Sequence, residues 1–255
     1  MVSENKILAY GSLFFIVFSL LIAMILPFEG RQVLGINLWI KPLKFSLSIA
    51  AFLITSYFLL LPLAYSPAKQ ATFSWILLIT MLIEIICMVF QAARAQLSHF
   101  NITDPIGSMM FPLMGMAITV AYLVYAILLF DYFKSEINLS PPLLWSIRLG
   151  IIIFLFGAVS GFMMASGLKH TIGMEDGGPG LAFVNWSTIA GDLRVSHFFS
   201  IHAIQILPLS MIGVLQITST NKLGWVTLVI ITSVWTLFTI ITFIQALQGR
   251  PFIRI

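Results

Sequence analysis

The run LAYGSLFFIVFSLLIAMILP, residues 8–27, decides the class of this protein, because it contains no charged side chain. A helix of about 20 apolar residues is long enough to cross the hydrocarbon core of a bilayer. One lysine, Lys6, precedes the run, and no small-residue cleavage site follows it at residues 27–29. We therefore interpret the run as a membrane-spanning helix that is retained, and not as a signal peptide.

Six further runs of the same kind follow this one. We predict these spans at residues 45–65, 73–93, 109–130, 148–167, 194–216 and 225–246. The composition agrees, since 60% of the residues are hydrophobic and only 9% are charged, more apolar surface than a soluble domain can bury. The runs are also too long for barrel strands, which alternate over about ten residues.

The sequence thus predicts an all-α, polytopic integral membrane protein, with residues 1–255 forming one bundle of seven transmembrane helices. An odd number of spans places the two termini on opposite faces. The expected surroundings are membrane lipid, in the plasma (inner) membrane of a bacterium. The net charge of +4 is modest and shows no nucleic-acid footprint, and Cys87 is the single cysteine, so the chain cannot form an internal disulfide.

The segment GDLRVSH, residues 191–197, brings an acid, a guanidinium and an imidazole to the start of the sixth predicted span. Ionisable groups at membrane depth are costly, and a chain that retains them there generally uses them. We therefore predict catalytic roles for Asp192 and Arg194. If the span is one continuous helix, Gln205 lies on the same face as Arg194 and is a candidate substrate-binding residue.

Two ionisable residues lie deeper in the predicted spans. Helix rise places His202 about 12 Å inside Arg194, and Glu84 about 15 Å inside Arg94 on the third span. At similar depth they could meet as a proton-carrying pair, and we add both to the candidate catalytic residues. The alternative is that each side chain is bonded only to a neighbouring backbone or hydroxyl group.

Three other histidines, His99, His170 and His197, fall near one membrane interface at the ends of three different spans. Three imidazoles at one level can bind a transition metal, completed by an aspartate or by water. A haem that uses His197 with His99 or His170 is a further possibility. No pair shows the close spacing of a known zinc motif, and amphipathic histidines at a membrane boundary are the alternative explanation.

Four cations, Arg94, Arg194, Lys41 and Lys44, lie toward the same predicted face. Guanidinium groups bind carboxylate or phosphate through paired hydrogen bonds, and lysines add positive charge. We therefore predict that Arg94, Lys41 and Lys44 bind a small or lipidic anionic substrate. The alternative is that these side chains extend to lipid phosphates or pair with nearby aspartates.

The longest connection, residues 169–191, contains the turn-forming run Gly177-Gly178-Pro179-Gly180. A connection of this length in a small membrane protein is typical of a lid or binding loop, and we predict a lid here. On the fifth span, Gly157 and Gly161 are four residues apart. Small residues at this spacing favour close contact with another helix.

Three functions agree with these features. The first is a membrane enzyme, assisted by a metal or haem, that acts on a small or lipidic anion. The others are a proton-coupled transporter of a small anion and a non-catalytic membrane assembly subunit. The sequence shows neither a catalytic motif nor the paired broken helices common in transporters, so it leaves the choice open.

Overall fold

The computed structural model describes residues 6–217 and 221–255, and most of these residues are α-helical. The 3₁₀ turn Leu26–Phe28 continues the first helix. The helices are α1 Ile7–Ile25, α2 Ile40–Leu60, α3 Pro67–Ala93, α4 Pro105–Lys134, α5 Pro141–Gly167, α6 Leu193–Ile201, α7 Ala203–Ile217 and α8 Asn221–Leu247.

Serine-proline pairs fix the beginnings of two helices. Ser66 precedes α3 and its hydroxyl accepts a hydrogen bond from the Lys69 N–H at 3.3 Å, while Pro67 occupies the first helical position. Ser140 precedes Pro141 at the start of α5 in the same way, without the side-chain bond. Proline suits this position because the first N–H of a helix has no partner inside the helix.

The described residues contain six to seven candidate membrane-spanning helices. α1 with its 3₁₀ turn, α2, α3, α4, α5 and α8 are each long and apolar enough to cross a bilayer. α6 and α7 are each too short to cross a bilayer and reach the necessary length only as a pair, which bends by 44° at the break between them. This agrees with the predicted multi-pass helical architecture, whereas the bacterial inner membrane stays a prediction.

Several helices begin earlier than the predicted spans. α2 begins at Ile40 and ends at Leu60, so the predicted limits of 45–65 were wrong by about five residues. Lys41 and Lys44 therefore lie in the first turns of a helix and not in the segment before it. The cause is that a helix can continue through long cationic side chains whose charged ends reach water.

Two short strand pairs lie outside the helices and were not predicted. β1, Gln32–Val33, pairs with β2, Ile36–Asn37, in an antiparallel hairpin. Both residues of its two-residue loop, Leu34 and Gly35, have positive φ, 51° and 75°, as a type I′ turn requires. β3, Thr171–Ile172, pairs in the same sense with β4, Gly191–Asp192.

An ion pair stabilises the approach to the β1–β2 hairpin. The Glu29 carboxylate accepts hydrogen bonds from Arg31 Nε at 3.0 Å and Nη2 at 2.7 Å, and it lies 3.4 Å from Trp39 Nε1. The hydrogen bonds from Arg31 lower the pKa of Glu29 to about 2. Because Arg31 Nη1 also donates to Ala93 O at 3.1 Å, the segment is attached to the end of α3.

The described residues form two compact units, one ending at Val124 and the other beginning at Tyr125, both within α4. In the first, α1 packs against α2 and α3, and α2 packs against α3. In the second, α5, α6, α7 and α8 pack against one another. This division does not test the prediction of a single domain.

In the first unit, buried serines join α1 to α2. The hydroxyl of Ser12 donates to Ala50 O at 2.8 Å, and the hydroxyl of Ser46 donates to Phe15 O at 2.9 Å. Both serines are almost fully buried. Their small size lets the two backbones approach closely, and the hydrogen bonds satisfy their hydroxyl groups at membrane depth.

In the second unit, glycines of α5 form the contact surface for α6 and α7. A Cβ added at Gly157 would lie 2.7 Å from Ser200 Oγ, and one at Gly161 would lie 3.2 Å from the His197 ring. At Gly150 it would lie 3.0 Å from a backbone oxygen of α7. The close helix contact predicted for Gly157 and Gly161 is therefore confirmed.

Candidate functional site

The long connection, residues 168–192, is an ordered structure in the second unit. Besides the β3–β4 pair, a bridge joins Gly180 to Ser187, and Leu181 N–H donates to Trp186 O at 2.8 Å. Asn185 has a positive φ of 57°, which asparagine tolerates better than most residues. The connection thus forms a folded cap on the N-terminus of α6, and its opening as a lid stays a prediction.

Asp192 and Arg194 hold this cap together. The Asp192 side chain is fully buried and accepts hydrogen bonds from Arg194 Nε at 2.9 Å and Nη2 at 2.6 Å. It also accepts from the backbone N–H groups of Ser187 at 2.8 Å and of Arg194 at 3.0 Å. Arg194 Nη2 donates in addition to Asn185 O at 2.6 Å. This paired arrangement points to a structural role, and the predicted catalytic roles of both residues stay untested.

A second carboxylate, Asp176, organises the beginning of the cap. It accepts hydrogen bonds from the His170 ring at Nδ1, 2.5 Å away, from the His170 N–H and from the Thr171 hydroxyl. Burial by itself would raise the pKa of Asp176, but these hydrogen bonds outweigh it and hold the pKa below its usual range. The His170 ring is thereby fixed in one orientation.

In the first unit, Arg94 is paired in the same manner. Its guanidinium donates to Asp104 at 3.1 Å and to Gln91 at 2.7 Å. Asp104 also accepts from the Gly107 N–H at the start of α4, and this bond together with Arg94 and Asn101 lowers the pKa of Asp104. Arg94 and Arg194 thus each have a carboxylate partner within their own unit.

The predicted metal ligands are held by hydrogen bonds within their own units. His197 Nδ1 donates to Gly157 O at 2.9 Å and lies 3.2 Å from Ser160 Oγ. Metal-bound histidines commonly have such a partner on the second ring nitrogen, as His170 also does. However, residues 6–217 and 221–255 contain no group of three or more His, Cys, Asp or Glu side chains that could hold a metal ion. Metal or haem binding through His99, His170 and His197 is thus not shown.

The helix break at His202 changes the geometry predicted for the sixth span. Because α6 ends at Ile201 and α7 begins at Ala203, Arg194 and Gln205 are not on one continuous helix, and the predicted shared face was wrong. Trp235 of α8 donates its indole N–H to Phe199 O at 2.8 Å. This bond occupies a carbonyl that a continuous helix would use for the N–H four residues later.

The break leaves polar atoms without partners. The side chains of His202 and Gln205 interact with each other, but His202 Nε2 and Gln205 Oε1 are buried and form no hydrogen bond within the described chain. Unpaired polar groups at membrane depth are expensive. The break therefore contains two buried polar side-chain atoms for which the described residues supply no hydrogen-bond partner.

Glu84 is a deeply buried ionisable side chain of the first unit. It is 6% exposed in the middle of α3, and no hydrogen bond to it is formed within the part of the chain that the structure describes. Lys41 is close enough to interact with it electrostatically, and Lys41 Nζ lies 3.2 Å from His99 Nδ1. The sequence singled out these three residues separately but did not place them in one cluster.

Sequence reasoning missed Trp235 altogether. The signal was present, because a tryptophan in the middle of a span cannot reach the interface where indoles usually bind water and must find an acceptor inside the protein. Lys44, predicted to bind substrate, is half-buried on α2.

Comparison of the chain with protein-family models, curated proteins and solved structures gives no significant match.

Proposed function

We propose that this chain is a proton-coupled transporter of a small anion, with its binding site at the break between α6 and α7. The observation that carries the proposal is the set of unpaired polar atoms there, above all His202 Nε2 and Gln205 Oε1. Broken helices at membrane depth are a common way for transporters to expose backbone groups to a substrate. The sequence argument against transport was that no paired broken helices could be recognised. The bent α6–α7 pair provides one broken helix of this kind.

The chemistry of the break favours an anion. The N-terminus of α7 carries a partial positive charge, and helix N-termini bind anions. His202 adds a full positive charge when it is protonated, while Gln205 adds a carboxamide group. Uptake of a proton with the anion would keep the site electrically neutral during transport. This gives proton coupling a physical reason.

Uptake by proteoliposomes tests this proposal. Radiolabelled formate, lactate, nitrate and phosphate are offered with and without an inward proton gradient. At least one should accumulate with the gradient, and His202→Leu and Gln205→Leu should each abolish its accumulation. Gln216→Leu, the same chemical change at an exposed position of α7, is the matched control. Accumulation that is unaffected by both site variants would overturn the placement of the site.

The transporter model includes seven spans, with the bent α6–α7 pair counted as one crossing. The two helices are long and apolar enough to cross a bilayer only when they are taken together. Seven crossings place the two termini on opposite faces. Thiol labelling of Ser3→Cys and Ile253→Cys variants, in a Cys87→Ser background, from each side of sealed vesicles checks this. Labelling of both positions from the same side would contradict seven spans.

A membrane enzyme is the second candidate, and the His170–Asp176 pair favours it. A carboxylate bonded to Nδ1 orients an imidazole for general acid–base catalysis or for metal binding at its other nitrogen. Arg194, which lines a small polar depression with Glu175, Asn185 and Ser187, would then bind an anionic substrate beside it. Elemental analysis and an absorption spectrum of the purified protein test the metal or haem. A signal that is lost in His170→Ala but kept in His202→Leu would favour the enzyme.

A further inference from the structure

We infer that Glu84, Lys41 and His99 form a proton-binding site in the first unit, in which Glu84 holds the proton. Glu84 lies in the middle of α3, and only 6% of it is exposed. An ionised carboxylate at such a place, without hydrogen bonds, is far less stable than a protonated one. A group of this kind is retained where its proton is used.

The charged groups that face Glu84 are few. Lys41 of α2 and Cys87 of α3 itself interact with it electrostatically. The helices that pack most extensively against α3 are α1 and α2. The only ionisable side chain of α1 is Tyr10, and α2 holds Lys44 and Tyr57 besides Lys41. Lys41 is therefore the cation that can stabilise Glu84 when its proton leaves.

His99 connects this pair to the end of α3. Its Nδ1 lies 3.2 Å from Lys41 Nζ and 3.1 Å from Ser98 Oγ, and its ring packs against Phe45, 5.8 Å between centroids. His99 belongs to the segment that links α3 to α4, outside both helices. A proton at His99 is thus close to the membrane surface, whereas one at Glu84 is inside the span.

The transfer is balanced in two steps. The Lys41 ammonium first gives a proton to the His99 imidazole, 3.2 Å away, and the neutral amine then takes one from the Glu84 carboxyl after rotation of the flexible lysine side chain toward it. Lys41 ends with its original charge, Glu84 becomes a carboxylate beside it, and His99 becomes an imidazolium that releases its proton to water. Imidazole suits this exit because its ordinary pKa of about 6.5 lets it gain and lose protons near neutral pH.

The inference deepens the proposed function, since it adds a proton-binding group in the first unit, and it rests on that function only for the identity of the transported anion. Its test does not require transport. Infrared spectroscopy of the reconstituted full-length protein detects the C=O stretch of a protonated carboxyl group. We expect such a band at neutral pH, shifted in D₂O and absent in Glu84→Gln. Glu175→Gln, which changes an exposed carboxylate, is the matched control and should keep the band.

Two further variants keep the test informative. Glu84→Asp retains a carboxyl and should retain a band of its own. Lys41→Met removes the cation, so the band should persist to a higher pH than in the unmodified protein. A band that persists in Glu84→Gln, or whose pH range is the same in Lys41→Met, would overturn the inference.

Transport data separate this inference from the proposed function. If both hold, Glu84→Gln should still exchange labelled anion for unlabelled anion, but lose at least tenfold in accumulation driven by a proton gradient. Loss of the infrared band without any anion transport would refute the transporter and leave the proton site intact. Full gradient-driven accumulation in Glu84→Gln would overturn the proton site and leave the transporter intact.

Discussion

Replacing Asp192 with alanine should open the cap formed by the long connection without preventing membrane insertion. The change removes all four hydrogen bonds that this buried carboxylate accepts, two from the Arg194 guanidinium and two from backbone N–H groups. The Ser187 N–H and part of the guanidinium are then left unpaired. Both groups lie in the cap or at its boundary with α6, so the loss acts there first.

The size of the effect follows from the burial of the two partners. Removing one member of a buried ion pair costs about 3–5 kcal/mol. Arg194 keeps 24% of its side chain exposed and retains its bond to Asn185 O, so it stays partly solvated. We therefore expect the lower end, about 3 kcal/mol, which corresponds to roughly a 100-fold change in an opening equilibrium.

Hydrogen exchange at the Ser187 N–H, followed by mass spectrometry, measures this opening. Exchange should be roughly 100-fold faster in Asp192→Ala. The control is Glu175→Ala, which breaks the ion pair between Glu175 and Lys169; the Glu175 side chain is 88% exposed. Exposed ion pairs are worth at most about 1 kcal/mol. Exchange at the Ser187 N–H should therefore change no more than about fivefold in this control variant.

A double-mutant cycle completes the test. Asp192→Ala together with Arg194→Ala should cost less than the sum of the single changes, by about 2 kcal/mol, because the second change removes a charge that the first has stranded. Strict additivity would refute the ion pair as the source of stability. So would an Asp192→Ala variant that exchanges no faster than the Glu175→Ala control.

Three other predictions concern the fold around the candidate sites. The pKa of Glu29 is lowered from 4.5 to about 2. Its carboxylate should therefore stabilise the hairpin fully above pH 4.5 and lose this effect as the pH falls through about 2. Trp39 fluorescence should report that transition, and Glu29→Gln should remove it. Gly191→Ala should cost about 1–3 kcal/mol in a thermal unfolding assay in detergent, because the new Cβ would clash with the backbone oxygen of Ala246 in α8. Gly167→Ala has open space around the new Cβ and should cost nothing. Trp235→Phe should lose about 1 kcal/mol with its hydrogen bond at the helix break, which the same assay measures, and an unchanged melting temperature would contradict a role for the indole there.

Run length was sufficient to predict most of the helices. A residue such as Glu84 stands in a long apolar run whose neighbours can only be helical in lipid, because no other single segment satisfies its own backbone there. Its deep burial followed from its position in that run and is confirmed. The glycine spacing of α5 also predicted a helix contact correctly, since small residues remove the obstacle to close approach.

The partners of the polar groups could not be predicted in this way. Lys41 and His99 are separated by 58 residues, and nothing local in either segment indicates the other. Asp192 and Arg194 are only two residues apart, yet the sequence did not show that they would pair with each other and with the cap instead of facing a ligand. These contacts depend on the path of the chain between helices.

The break at His202 shows most clearly the difference between what local sequence predicts and what contacts between helices decide. The sequence around it contains neither proline nor glycine, and Pro208 lies well inside α7, so local propensity predicts a continuous helix. At the break, Trp235 from α8 donates to a carbonyl of α6, and the glycine face of α5 lies against the start of α7. The sequence by itself determined which segments are helices at membrane depth, because the solvent imposes that choice on each segment separately. The tertiary structure alone decided where a helix opens, because the groups that replace its lost hydrogen bonds come from other helices.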